Sequence, residues 1–333
     1  MTFQPVSDPY PYDESFLSSD SPLILPEYFR DFKVARPLGR GRYSRVFQVT
    51  SPAGTDYALK VTVCSTPHLT NSAIREYALL QRLSGCPHII NAHDFRLEVS
   101  PRGLVSAWLL EEYAGVLNVA NAHFSSASRL KAAVSVCDAL IEGKRRGVAH
   151  LDVKPANVFR SRDGKWKLGD FSHAMPVSNL DQVCSAVGSP GYIAPEVLRE
   201  KRYSELSDIY SMGIFLYRLF TGELPFRPEG PAIPSGAFPK KQLPARLYRV
   251  ITTAARLVPE DRYPSFEDLR AALAALDSGD LPPDGSISVP RPHVVKDFCP
   301  QSMLHTFGDT FSFGEGGSGR YWYAEATWST LGG

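Results

Sequence analysis

The sequence predicts an α+β protein in two unequal parts, a β-rich first lobe followed by a helical second lobe. Three observations carry that expectation. Between about Tyr28 and Tyr113, short runs rich in β-branched and aromatic residues alternate with Gly- and Pro-containing turns. Further along, apolar residues recur at helical spacing in four long segments. Finally, 333 residues with 43% hydrophobic content are too many for one small domain and enough to bury a sizeable core.

Residues 1–27 are rich in Pro, Ser, Tyr and acid and show no periodicity, so they are expected to form a disordered tail. FKVARPL, SRVFQVTS and DYALKVTV read as strands of antiparallel hairpins. NSAIREYALLQRL reads as an amphipathic helix opened by Asn-Ser, and LVSAWLLEEY as a further strand. The helical segments are SRLKAAVSVCDALIEGKRRG, LSDIYSMGIFLYRLFTG, ARLYRVITTAARL and FEDLRAALAAL. From Asp277 the chain turns Gly/Pro/Ser-rich and aperiodic. The expected organisation is therefore a tail over 1–27, a domain over 28–276 whose first lobe runs to about 113 and second over 114–276, and a disordered tail over 277–333. No internal repeat is visible.

Charge and composition exclude several classes of function. A net charge of +1 offers no electrostatic case for nucleic acid or an acidic membrane. The five cysteines, Cys64, Cys86, Cys137, Cys184 and Cys299, form no CxxC and suit a reducing compartment. The eight histidines lack zinc-ligand spacing. The N-terminus lacks the layout of a signal peptide, and Thr2 stands where myristoylation needs glycine. The longest apolar stretch, near Ile214–Phe220, is interrupted by Arg218 and too short to span a bilayer. The expectation is a monomeric intracellular protein, of cytoplasm, nucleus or both, without a membrane span.

Chemistry concentrates in a few segments. In LGRGRYSRV, Gly39 and Gly41 would let the backbone approach a phosphate, although a glycine-rich hairpin is as readily a plain turn. Lys60 lies mid-strand in YALKV, where it either snorkels to solvent or meets an anion; Glu76, on the next helix, could pair with it. HLDVKPANVF followed by GDFSHA places Asp152, Lys154, Asn157 and Asp170 within a short span. Phosphoryl transfer needs a base for the attacking hydroxyl, a cation near the γ-phosphoryl and hard oxygen ligands for Mg²⁺. Asp152, Lys154, and the pair Asn157 and Asp170 match those needs in turn.

With these motifs in order, residues 32–276 resemble a eukaryotic protein kinase. Ala194-Pro195-Glu196 is similar to the family's APE motif, Asp208 to the acid that braces the catalytic loop, and Arg262 to the partner of the APE glutamate. The resemblance implies a bilobal kinase fold, ATP and Mg²⁺ as cofactors and a protein substrate, with no role for nucleic acid. It also implies an adenine site of Leu38, Val46 and Ala58 on one ring face and Phe159 on the other. Backbone groups of Glu112 and Ala114 would form the hinge, Glu111 would hold the gatekeeper position, and His150 would brace the catalytic loop. Lys154 and GSPGYIAPE resemble Ser/Thr kinases. Leu151, Phe159 and the KLGDF run resemble the Wee/Myt kinases, which restrain the cell cycle by phosphorylating cyclin-dependent kinases. Four positions depart from the pattern: Ser44, Glu111, Leu151 and Ser172. They motivate the alternative of a pseudokinase scaffold, whereas the retained Lys60, Glu76, Asp152, Asn157 and Asp170 favour an enzyme. Leu151, in place of an arginine, leaves no buried cation for a phosphate to offset, which predicts activity without phosphorylation of the activation loop.

Overall fold

The computed structural model describes residues 16–17, 22–100, 103–116, 124–182, 187–225, 238–240 and 243–284, and the backbone of 311–313 and 324–326. The described chain divides into two compact units. One takes the residues up to Gly85 and Ile90–Ala114; Cys86–Ile89 and the chain from Gly115 to Asp284 fall in the other.

The first unit is a five-stranded antiparallel sheet. Strands β1 (Lys33–Arg40), β2 (Ser44–Thr50), β3 (Asp56–Cys64), β4 (Ala92–Val99) and β5 (Val105–Glu112) run in the order β1-β2-β3-β5-β4. Period-two alternation sorts the side chains between two faces. Pairing of Phe47 with Leu59, Leu59 with Leu110 and Val61 with Trp108 gathers one face into a core with Val49 and Val63. The other face carries Val46, Ala58, Lys60, Leu109 and Glu111, aligned by the pairs Val46–Lys60, Lys60–Leu109 and Ala58–Glu111. Strand β4, with polar residues on much of its length, was not foreseen from the sequence.

Part of the expected N-terminal tail belongs to this core. Phe16 is 2% exposed and packs with Leu23 and Phe29 against Phe47 and Trp108. The Arg45 guanidinium lies 4.6 Å from the Phe16 ring and 4.8 Å from that of Phe47. The cause is the apolar sheet face, which would otherwise stand in water; burying one Phe side chain is worth about 1.5–3 kcal/mol. Residues 1–15 and 18–21 lie outside the described residues.

Helix α1 (Pro67–Arg82) starts four residues before the expected Asn-Ser, because Thr66 accepts from the Leu69 amide at 3.3 Å and Pro67 suits the first turn. Its buried residues, Ala73, Glu76, Leu79 and Leu80, form one helical stripe.

The second unit is built on helices α2 (Ser126–Arg145), α3 (Pro195–Glu200), α4 (Glu205–Thr221), α5 (Ala245–Ala254) and α6 (Phe266–Ala274). Helix α4 is buried nearly all round, as its run of apolar residues requires. It opens with a Ser204/Ser207 capping box and ends at Gly222 in the left-handed conformation. Gly213 allows its close approach to α5, since a Cβ there would lie 2.7 Å from that of Ala255. Short strands β6 (Gly115–Val116), β8 (Val158–Arg160) and β9 (Trp166–Leu168) form one small sheet, and β7 (Val148–Ala149) pairs with β10 (Met175–Pro176). These strands flank the loop 150–157 and fix both its ends.

The second unit also continues past the expected limit at 276. Arg246 pairs with the buried Asp280 at 2.5 Å, and Asp284 accepts from the Ser126 amide at 2.7 Å, capping α2. Of the remaining tail, only the antiparallel strands β11 (Phe311–Phe313) and β12 (Ala324–Ala326) are described. No helix among the described residues is long and apolar enough to cross a membrane.

Candidate active site

In the first unit the lysine of β3 does not snorkel. Lys60 is 9% exposed and its Nζ lies 2.7 Å from Glu76 Oε1, with Glu76 also buried. Strand β3 and helix α1 thus present one ammonium held by one carboxylate on the sheet face that also carries Ala58 and Val46. Gly39 sits beyond a bulge in β1 opposite Val46, and the Gly41 amide donates to the Ser44 carbonyl at 2.7 Å, tightening the hairpin. Leu38 lies at that bulge. Glu111 is 9% exposed beside Ala58, at the end of β5 that leads through Glu112 to Ala114. Glu112 is anchored by Asn91, whose Nδ2 donates to Oε2 at 3.3 Å.

The second unit brings together the polar cluster expected from the sequence. Asp152 is 2% exposed. Its Oδ2 accepts from Lys154 Nζ at 2.7 Å and from Asn157 Nδ2 at 3.1 Å. Its Oδ1 is buried and has no hydrogen-bond partner among the described residues. Burial pushes the Asp152 carboxyl up, but the Lys154 ammonium more than offsets this and holds it below the usual range. Asn157 Nδ2 also donates to the Asp152 carbonyl at 2.8 Å, so the amide oxygen is the end left for another ligand.

His150 braces this loop. Its Nδ1 accepts from the Asp152 amide at 3.2 Å, while Nε2 lies 3.1 Å from the Gly169 carbonyl and donates to it. That pattern requires the neutral ring, and burial lowers its pKa accordingly. The backbone amides of His150 and Leu151 donate to Asp208, whose carboxyl is pushed up to about 7 by burial. Leu151 is 5% exposed and holds φ 64°, a left-handed strain for a side chain of this size, set by those bonds.

Asp170 has φ 54°, and the following Phe171 is buried with its ring 4.7 Å from that of His150. Ser172 Oγ donates to Asp170 Oδ1 at 2.8 Å. Phe159 lies in β8, opposite Val116 and Lys167. The segment 187–192 lies along the loop 150–157. Lys154 Nζ donates to Ser189 Oγ at 2.6 Å, and a Cβ on Gly188 (φ 118°) would meet the Leu151 carbonyl at 2.8 Å. Beneath it, Arg262 grips Glu196 with two bonds of 2.8 Å.

Each unit taken by itself carries groups of the kind that Mg·ATP chemistry uses: the first a fixed ammonium, the second an amide oxygen, carboxylates and one open carboxylate oxygen. Residues 32–262 match the family model described as protein kinase domain. The chain belongs to the protein kinase family. The family uses ATP and a divalent metal, typically Mg²⁺. Among curated relatives, CBL-interacting protein kinase 4 of Oryza sativa subsp. japonica is 32% identical over 209 residues, covering 59% of this chain and 45% of that protein. Serine/threonine-protein kinase Pkn1 of Myxococcus xanthus is 31% identical over 272 residues, covering 73% and 38%. Mitosis inhibitor protein kinase mik1 of Schizosaccharomyces pombe is 31% identical over 208 residues, covering 57% and 34%. The chain spans less than half the length of these relatives.

Three contacts of the kinase's site were not foreseen. Ser189 was read only as part of a motif, and its bond to Lys154 requires the fold. The Tyr203 hydroxyl donates to the Val187 carbonyl at 3.2 Å and accepts from its amide, clamping the segment. Ser207 donates to Glu196 at 2.9 Å. None of the three has a local sequence signal beyond an ordinary hydroxyl.

Proposed function

We propose that this kinase transfers the γ-phosphoryl of Mg·ATP to a Ser or Thr hydroxyl of a protein. The observation that carries the reading is Asp152: one carboxylate oxygen is occupied by Lys154 and Asn157, and the other is buried and open. A hydrogen-bonded carboxylate with one open oxygen is suited to accept or orient a hydroxyl proton. Mg·ATP, when bound, supplies the transferable phosphoryl group and the cation that offsets charge. Lys60, fixed by Glu76, grips phosphate oxygens; the Asn157 amide oxygen and the Asp170 carboxylate hold the cation. Leu38, Gly39, Gly41, Val46, Ala58, Phe159 and the backbone of Glu112 and Ala114 bind the nucleotide. Lys154 fixes the Asp152 rotamer and sets a positive charge beside the reacting hydroxyl.

The Lys154–Ser189 bond supports a Ser/Thr acceptor. It ties the segment 187–192 so close to the catalytic loop that a peptide laid over it reaches Asp152 with a short side chain. A narrower form of the proposal makes a cyclin-dependent kinase the substrate. The similarity to mik1, with Leu151 and Phe159, supports that form, though plant and bacterial kinases of other names are equally similar. The test is transfer of labelled phosphate from Mg·ATP to a peptide library with Ser, Thr or Tyr acceptors, with a cyclin-dependent kinase alongside. Ser/Thr labelling is expected. Tyr-only labelling overturns the acceptor assignment, and nucleotide binding without transfer would support the scaffold alternative.

A further inference from the structure

We propose that Phe16 is a positioning residue for nucleotide binding. It acts from the face of the first unit's sheet that lies away from Lys60: there it fixes Arg45, and through Arg45 the glycine-rich hairpin. The inference rests on the reading of the chain as a kinase and gives the segment before β1 a part in that same site.

Arg45, the second residue of β2, is 4% exposed and stands opposite Val61, which is fully buried. A guanidinium over an aliphatic core is costly unless rings and acceptors replace the water it gives up. Phe16 supplies both. Its ring lies 4.6 Å from the guanidinium, against 4.8 Å for the Phe47 ring, and its carbonyl accepts from Arg45 Nη1 at 3.3 Å. The two ring centroids are 6.4 Å apart, so one cation touches both. Phe16 is itself held in place, because Leu17, Leu23 and Phe29 pack into the same core.

The hairpin depends on this contact because its own residues have little purchase on the core. From Lys33 to Ser44 no residue is buried, and Arg45 is the first that is. Its neighbour Ser44 closes the hairpin by accepting from the Gly41 amide at 2.7 Å, and Val46 beyond it pairs with Lys60 on the opposite face. Deprived of the Phe16 ring and carbonyl, a long cationic side chain turns its head toward water. The backbone at Ser44 and Arg45 follows, and the bond between Ser44 and Gly41 slackens. Backbone N–H groups bind phosphate well only when their aim is fixed beforehand. The loss therefore falls on nucleotide affinity, while Asp152, Lys154 and Asn157 keep their mutual bonds in the second unit.

Phe16→Leu in the full chain keeps an apolar side chain in the core and deletes the ring. Kd for Mg·ATP by calorimetry and KM for ATP are expected to rise about fivefold, the scale of one desolvated cation–π contact, with kcat within about twofold of wild type. In an Arg45→Met background, where no cation needs the ring, the same substitution should leave Kd within about twofold. A purely structural role would lower the folded fraction, and kcat with it, without moving KM. Should Phe16→Leu fail to fold by circular dichroism, Arg45→Lys decides the matter: it keeps the charge but loses the flat guanidinium, and Kd should rise about threefold. Unchanged Kd in the folded variant, or an equal rise in the Arg45→Met background, would overturn the inference while saturable binding upholds the nucleotide site. A wild-type chain that binds no Mg·ATP sinks both.

Discussion

Replacing Arg262 by Met removes a buried and fully hydrogen-bonded charge of the second unit. Its side chain is 0% exposed, against 10% for Glu196. Beyond the two bonds to Glu196, it donates to the carbonyls of Leu206 at 2.7 Å and Arg256 at 2.8 Å, and its guanidinium lies 5.0 Å from the Tyr210 ring. Met keeps the volume and deletes the charge, so the main loss is a carboxylate left buried without its cation. Breaking a buried pair from one side costs about 3–5 kcal/mol. Ser207 still donates to Glu196, which favours the lower half of that range. For a domain of this size each kcal/mol lowers Tm by about 2–4 °C, so a fall of about 6–16 °C is expected by circular dichroism at neutral pH. The double variant Glu196→Gln with Arg262→Met removes the orphaned charge and should recover at least about 1 kcal/mol of the loss. The effect depends on pH with a defined sign. Burial raises the Glu196 carboxyl, but the Arg262 bonds more than offset it and hold the value below the ordinary 4.5. The pair's contribution is therefore present above pH 4.5 and lost as pH falls through the lower folded-state value. A Tm for Arg262→Met within 2 °C of wild type, or a double variant less stable than the single one, would refute the reasoning.

Three further outcomes follow from individual contacts. Glu76→Gln should weaken Mg·ATP binding about tenfold by calorimetry, because it removes the charge that holds Lys60 at 2.7 Å; unchanged affinity would remove Lys60 from the phosphate site. Ser172→Gly deletes the bond to Asp170 and adds backbone freedom. Inhibitors that need Asp170 and Phe171 flipped out should bind that variant about tenfold tighter, since a hydrogen bond to a charged group is worth about 1.5–3 kcal/mol; tight binding to wild type would count against the lock. Alanine at Ser178 and Ser185 together should leave kcat within about twofold, because Leu151 offers no cation for a loop phosphate. A hundredfold loss would show that loop phosphorylation is required.

How much of this was legible in the chain differs by level. The strands around FKVARPL, SRVFQVTS and DYALKVTV and the stripe of α1 follow from local periodicity, which one residue's neighbours suffice to express. The cluster Asp152, Lys154, Asn157 and Asp170 was legible because its chemistry demands fixed residue types at short spacing. Phe16 was not, since its burial depends on a sheet face that forms only when β2, β3 and β5 align. The orientation of Glu196 toward Arg262 was anticipated as a family partnership, but the Ser207 bond and the Tyr203 clamp on Val187 depend on distant segments meeting. The limits of the second unit were misplaced for the same reason. Asp280 and Asp284 sit in a Gly/Pro-rich stretch without periodicity and are held by Arg246 and the start of α2.

The most direct measurement compares wild type with Asp152→Asn for both Mg·ATP affinity and phosphoryl transfer to the best peptide. The amide preserves the bonds from Lys154 and Asn157 in shape but cannot take a proton. The account predicts transfer reduced about 10²–10⁴-fold with nucleotide affinity within about threefold of wild type. Transfer by Asp152→Asn at a rate near that of wild type would contradict it.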